Sequence, residues 1–226
     1  MLRELVLLLA AVPVHGSSKD YSEAVLSRNL LGKGTESTRL KSLRHLRELY
    51  GLCPDVRIFR ALRRLHSKDS TAIAQLALLC AWTRDPLLRA TTPAVLNTQQ
   101  GQDVSVLAVA DAVAEAFPNQ YSPLNEQKIA RNARATWTSS GHLAGRTRKL
   151  RRKIVARPAS VAYAFLLADV SGVAGEAMLS SAWCELLDLN REEARTSAAA
   201  AHRHGFLNFR SAGSVIEVSF PSNILD

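Results

Sequence analysis

Apolar residues recur at helical spacing through most of the chain, and period-two alternation appears only near its end. Leu40, Leu43, Leu46 and Leu49 predict a helix over 35–50, which Gly51 stops. Pro54-Asp55 opens a second helix over 56–66. It turns Ile58, Phe59, Leu62 and Leu65 inward and sets Arg57, Arg60 and Arg64 on an outer face. Segment 71–83 is apolar nearly throughout and reads as a buried helix. Asp85-Pro86 starts another, with proline at the first helical position. A polar loop at 98–102, a helix over 104–117, a linker at 118–123 and a helix over 124–137 follow.

The last third carries the sharpest local signals. Segment 159–171, containing VAYAFLLADV, reads as an apolar helix that Gly172 and Gly175 break. One or two short helices surround Trp183 within 178–189. Asn190, with Glu193 three residues later, forms a capping box for a helix that Gly205 ends near His204. Segments 206–210 and 215–220 alternate like strands, joined by Ser211-Ala212-Gly213-Ser214, and read as a hairpin. Three helices followed by a hairpin predict a C-terminal winged helix-turn-helix. The expected fold class is mainly α: a helical bundle over 20–118, then a basic connector plus winged-helix domain over 124–222. Turn residues place the boundary near 118–125.

Residues 5–14, LVLLLAAVPV, followed by His15-Gly16-Ser17-Ser18, resemble the apolar region of an export signal. Glu4 cancels Arg3, Pro13 ends any helix, and the run falls short of the roughly 20 apolar residues a membrane span needs. Residues 1–19 are therefore expected to be a tail or a spurious start outside the fold, with export as the alternative. No other stretch is apolar for long enough to span a bilayer, so integral membrane association is not expected.

Composition excludes disorder, collagen and a coiled-coil rod: of 226 residues, 47% are hydrophobic and 22% charged. Cys53, Cys80 and Cys184 are dispersed and odd in number, which fits reduced thiols and a cytoplasmic location. Charge changes the picture more. Lys plus Arg number 29 against 20 acidic residues, a net +9. Between Glu126 and Asp169 there is no acid, yet the interval holds Lys128, Arg131, Arg134, Arg146, Arg148, Lys149, Arg151, Arg152, Lys153 and Arg157. Without these ten, 19 basic and 20 acidic residues remain. An acid-free block suits phosphates, because guanidinium offers a forked donor and ammonium a mobile point charge. Ser139, Ser140 and the backbone N–H groups near Gly141 and Gly145 add neutral phosphate donors. Arg191, Arg195 and His202 share one face of the helix after Asn190, which makes it the expected recognition helix. Arg57, Arg60, Arg63 and Arg64 form a second basic group, either part of the binding surface or a solvated face.

Catalytic and metal motifs fail on spacing. Gly32-Lys33-Gly34-Thr35 lacks the upstream glycine of a phosphate loop, since position 27 is Ser27. His202, His204 and Cys184 are too sparse for zinc. No catalytic residue, metal or cofactor is expected, and a small-molecule ligand is not expected either.

The stretch Trp137-Thr-Ser-Ser-Gly-His-Leu-Ala-Gly-Arg-Thr-Arg-Lys-Leu-Arg resembles the central signature of the BrxA proteins of BREX phage-resistance systems. Segment 160–168, the Gly205-Phe206-Leu207 turn with its hairpin through Phe220, the Tyr21-Ser22 start and the helix after Gly34 are similar too, so the resemblance covers about 20–222. It implies a small, mostly helical, cytoplasmic protein of winged-helix character. Such a protein binds duplex DNA without enzyme activity and works beside other BREX proteins. A winged-helix module that docks protein, or a transcriptional regulator, is the alternative.

Overall fold

The computed structural model describes residues 1–213 and 215–225. Helix covers 62% of it and strand 7%, so the protein is mainly α, with a small two-stranded hairpin near the C-terminus. Among the described residues no helix is long and apolar enough to cross a membrane. The chain forms two compact units, and the second is inserted into the first: residues 1–80 with 156–226, and residues 81–155.

The first unit begins with α1 (Leu2–Ala11), α2 (Ser18–Leu26), α3 (Glu36–Tyr50), α4 (Arg57–Lys68) and most of α5 (Ile73–Arg84). Residues 1–19 are not a tail. Leu5, Leu8, Leu9 and Val12 are buried, and Ser17 closes a capping box with Asp20 that starts α2. Of the apolar run 5–14, those four residues turn inward, whereas Val6, Leu7 and Val14 are exposed. Arg63 explains how α1 ends inside the protein. It is buried on α4, and its guanidinium donates to the carbonyls of Leu9 and Val12. Those carbonyls are among the acceptors a helix C-terminus leaves without intrahelical partners.

The expected second basic face therefore does not exist as one. Arg63 points inward, Arg60 donates to Leu225 O at 2.6 Å and Pro54 O at 2.8 Å, and Arg64 donates to Asn223 O at 3.2 Å. Arg57 pairs with Asp169 at 3.3 Å. The helix pattern identified which positions face away from Ile58, Phe59 and Leu62, but not that later chain returns to cover them.

The unit resumes with α10 (Pro158–Val170), α11 (Ala182–Glu185), α12 (Arg191–Arg203), β3 (Asn208–Ala212), β4 (Val215–Ser219) and α13 (Ser222–Leu225). Every residue of α10 from Ala159 to Ala168 is buried, as expected of a helix apolar on all sides. It packs against α4 and α12, and Tyr163 donates to Ile58 O at 3.0 Å. Asn190 and Glu193 make the expected capping box on α12. Ala194, Ala198 and Ala201 form its buried face. The hairpin pairs Phe209 with Val218, and Phe209 meets Phe165 of α10 edge-on at 6.3 Å. Of the expected linker between these strands, Ser214 lies outside the described residues.

The second unit contains α6 (Pro86–Ala90), α7 (Thr92–Leu96), α8 (Val106–Ala116), α9 (Pro123–Ser139), β1 (Leu143–Ala144) and β2 (Leu150–Arg151). Residues 118–125, expected to separate domains, instead connect α8 to α9, the most extensively packed helix pair here. Turn residues mark where a chain reverses, and a reversal inside a unit has the same composition as a linker between units. Trp137 anchors the core: it is fully buried and donates from Nε1 to Thr91 Oγ1 at 2.8 Å.

Candidate nucleic-acid interface

The acid-free block builds two adjoining pieces of the second unit: α9 and the hairpin that follows it. On α9, Ala130, Ala133 and Trp137 are buried, spaced three and four residues apart. The opposite side carries Lys128, Arg131, Asn132, Ala135 and Ser139, all exposed. At 100° per residue these five fall within one arc of about 100°.

After Trp137 the chain turns through Ser140, Gly141 and His142. Ser140 is buried, donates to Trp137 O at 3.1 Å, and lies 2.9 Å from His142 Nδ1. The buried His142 ring meets the Trp137 indole edge-on at 5.0 Å. This packing holds the end of α9 against the start of β1. Ser140 is therefore a structural residue and not the phosphate donor expected of it. Ser139 is exposed, although its hydroxyl already donates to Ala135 O at 3.0 Å.

β1 and β2 pair antiparallel, Leu143 with Arg151 and Ala144 with Leu150. A third extended segment, 101–104, lies on the other edge of β2. Val104 N–H donates to Lys149 O at 2.9 Å, Arg151 N–H to Gln102 O at 2.9 Å and Gly101 N–H to Arg151 O at 2.8 Å. Asp103 Oδ1 accepts from Lys149 N–H at 2.8 Å. The sequence pattern reads 98–102 as a loop, and four ladder residues with no apolar alternation leave no signal that would correct it. The turn between β1 and β2 is Gly145-Arg146-Thr147-Arg148-Lys149. Gly145 has φ +110°, and a Cβ there would lie 2.2 Å from Arg148 O, so only glycine closes this turn.

The block divides by environment. Lys128, Arg131, Arg146, Arg148 and Arg152 are exposed, and no ion pair or side-chain hydrogen bond holds them among the described residues. Arg151 is buried, with its guanidinium donating to Arg152 O. Lys149 is half-buried, with Nζ 2.6 Å from Gly145 O. These two brace the hairpin and do not face outward as expected. Arg134 is half-buried; burial pushes its guanidinium below the ordinary arginine range, and the Asp103 carboxylate opposes that shift. Lys153 is exposed but not without a partner. Arg157 is exposed and belongs to the first unit, where its backbone N–H donates to Gln75 Oε1 at 2.9 Å as α10 begins.

The expected recognition helix fares differently. Arg191 and Arg195 both pair with Glu176, the latter at 3.4 Å, and Arg195 also donates to Ser211 Oγ. His202 Nδ1 donates to Leu207 O at 3.2 Å. All three tie α12 to its own unit. Charge agrees: residues 156–226 hold 5 Lys and Arg against 8 Asp and Glu, a net −3, whereas residues 81–155 hold 11 against 5, a net +6.

No family model, curated protein or solved structure matches this chain.

Proposed function

We propose that the protein binds duplex DNA through residues 81–155, mainly by phosphate contacts, as a non-enzymatic accessory protein of a BREX-type phage-defence system. One observation carries the DNA reading: α9 and the β1–β2 turn present four exposed cations, Lys128, Arg131, Arg146 and Arg148, and Arg152 just after β2 adds a fifth, none engaged by an internal acid among the described residues. The charge distribution supports it: residues 81–155 carry a net +6, and residues 156–226 a net −3. The defence role rests on the resemblance to BrxA proteins.

The sequence reading put a winged helix at the C-terminus; we propose it instead for this unit, and the order helix (α6–α7), extended segment, α8, α9, hairpin supports that. The preceding helix pair positions α9 for a groove, and the hairpin turn with Arg146 and Arg148 reaches the adjoining backbone. A B-form major groove about 12 Å wide admits such a helix, whereas the deep, narrow groove of duplex RNA does not. Fluorescence anisotropy on a mixed-sequence DNA duplex at low salt tests this. Binding at micromolar concentration or tighter is expected, and K128A/R131A/R146A/R148A abolishes it. Equal binding by this variant overturns the assignment.

The first unit supports a protein-docking role for α12 and β3–β4. The paired state of Arg191 and Arg195 and the net −3 of its C-terminal part favour protein over DNA there. Other BREX proteins are the proposed partners, in the cytoplasm. Co-purification that survives the four-site variant checks this.

A further inference from the structure

The exposed arc of α9 holds more than cations, and its composition points to base reading. Asn132 lies in the middle of the helix, seven residues before its last residue. Its carboxamide makes no hydrogen bond among the described residues; only its backbone carbonyl is engaged, accepting from Thr136 Oγ1 at 3.3 Å. Asparagine is a poor helix-interior residue, because its side chain competes for backbone groups at caps and turns. Here it neither caps nor packs. The capping on α9 is done by Ser122, whose hydroxyl accepts from Asn125 N–H. Beside Asn132 on the arc stands Ala135, exposed and too short to hold a neighbouring backbone away. Arg131 and Lys128 flank the pair, and Leu124, 73% exposed, extends the same side toward the start of the helix.

A surface meant only for phosphates gains nothing from a carboxamide, an alanine and a leucine between its cations. A base-reading surface uses each of them. A carboxamide meets adenine N6 and N7 with two hydrogen bonds, a guanidinium meets guanine O6 and N7, and small apolar groups meet the thymine methyl. We infer that α9, and not α12, reads sequence, with Asn132 set for an adenine edge, Arg131 for a nearby guanine, and Ala135 allowing the close approach. This rests on residues 81–155 binding DNA.

The test is selection of duplexes from a random library with the full chain, followed by sequencing, for wild type, Asn132→Ala and Arg131→Ala. Affinity for a mixed-sequence duplex is measured alongside. Wild type is expected to enrich a short core with roughly tenfold preference at one A·T position. Asn132→Ala loses that preference, so its affinities for the enriched core and for the same core changed at that A·T position agree within about twofold. Arg131→Ala loses a neighbouring G·C preference. Alanine favours helix more than asparagine does, so misfolding of Asn132→Ala does not confuse the result. A wild-type protein that binds the mixed-sequence duplex but enriches no core overturns base reading and leaves the DNA-binding proposal standing. A wild-type protein that binds neither library nor duplex removes both.

Discussion

Replacing Arg146 and Arg148 by alanine removes two of the five exposed, unpaired cations of the second unit and leaves the β1–β2 turn intact, since Gly145 and the ladder to 101–104 close it. Each phosphate neutralised adds about 0.9 to the steepness of log K against log salt. With Arg131 on a base edge, four phosphate contacts give a slope of about −3.6, so affinity falls roughly 150-fold between 50 and 200 mM salt. The double variant retains two phosphate contacts, a slope of about −1.8, and a loss of only about 12-fold over the same range. Anisotropy titrations at four or five salt concentrations separate these slopes. The control is Arg191→Ala with Arg195→Ala, which removes two cations already paired with Glu176 and leaves the slope at its wild-type value. Equal slopes for wild type and the Arg146/Arg148 variant would refute the placement of the phosphate surface, as would a flattened slope in the control.

Other outcomes follow from buried groups. Thr91→Val leaves the buried Trp137 Nε1–H without its acceptor and lowers the stability of the second unit by about 1–3 kcal/mol in urea unfolding. Gly145→Ala forces a side chain onto Arg148 O at positive φ, costing more than about 1 kcal/mol and weakening DNA binding although no cation is lost. Burial, with Arg63 beside it, holds the His66 imidazole below its ordinary 6.5. The unfolded chain therefore takes up the extra proton first, so stability is complete above about pH 6.5 and falls as pH drops below it. Thermal melts between pH 5 and 8 should show this fall in wild type and a flatter profile in His66→Gln. Burial pushes the Cys184 thiol up to about 11, and Cys80 is wholly buried, so a thiol reagent at neutral pH should titrate one fast group, Cys53.

Much of the helical architecture was legible in the chain because its signals are local. The capping box at Asn190, the Asp85-Pro86 start and the apolar periods of α4 and α10 each depend on residues within a few turns. The acid-free block was legible for the same reason, as a matter of counting. Its members' roles were not. Arg151 and Arg152 are neighbours of equal charge, yet Arg151, the last residue of β2, is buried and Arg152, just past the strand, is exposed. Arg131 and Arg134 differ likewise through their angular positions on α9 relative to the buried Trp137.

Local patterns in the chain sufficed for the helices, the C-terminal hairpin and the location of excess positive charge, since propensity, capping and charge are properties of short segments. Long-range packing was needed to see that residues 1–19 contribute Leu5, Leu8, Leu9 and Val12 to the core, and that 81–155 is a unit inserted into the rest. It alone showed Arg63 facing inward to the α1 carbonyls, and Arg191 and Arg195 spent on Glu176 while Arg146 and Arg148 stay exposed. Those outcomes depend on partners far away in the chain, such as Leu9 and Val12 for Arg63. Whether a cation meets an internal acceptor or solvent is set by which segments fold against it.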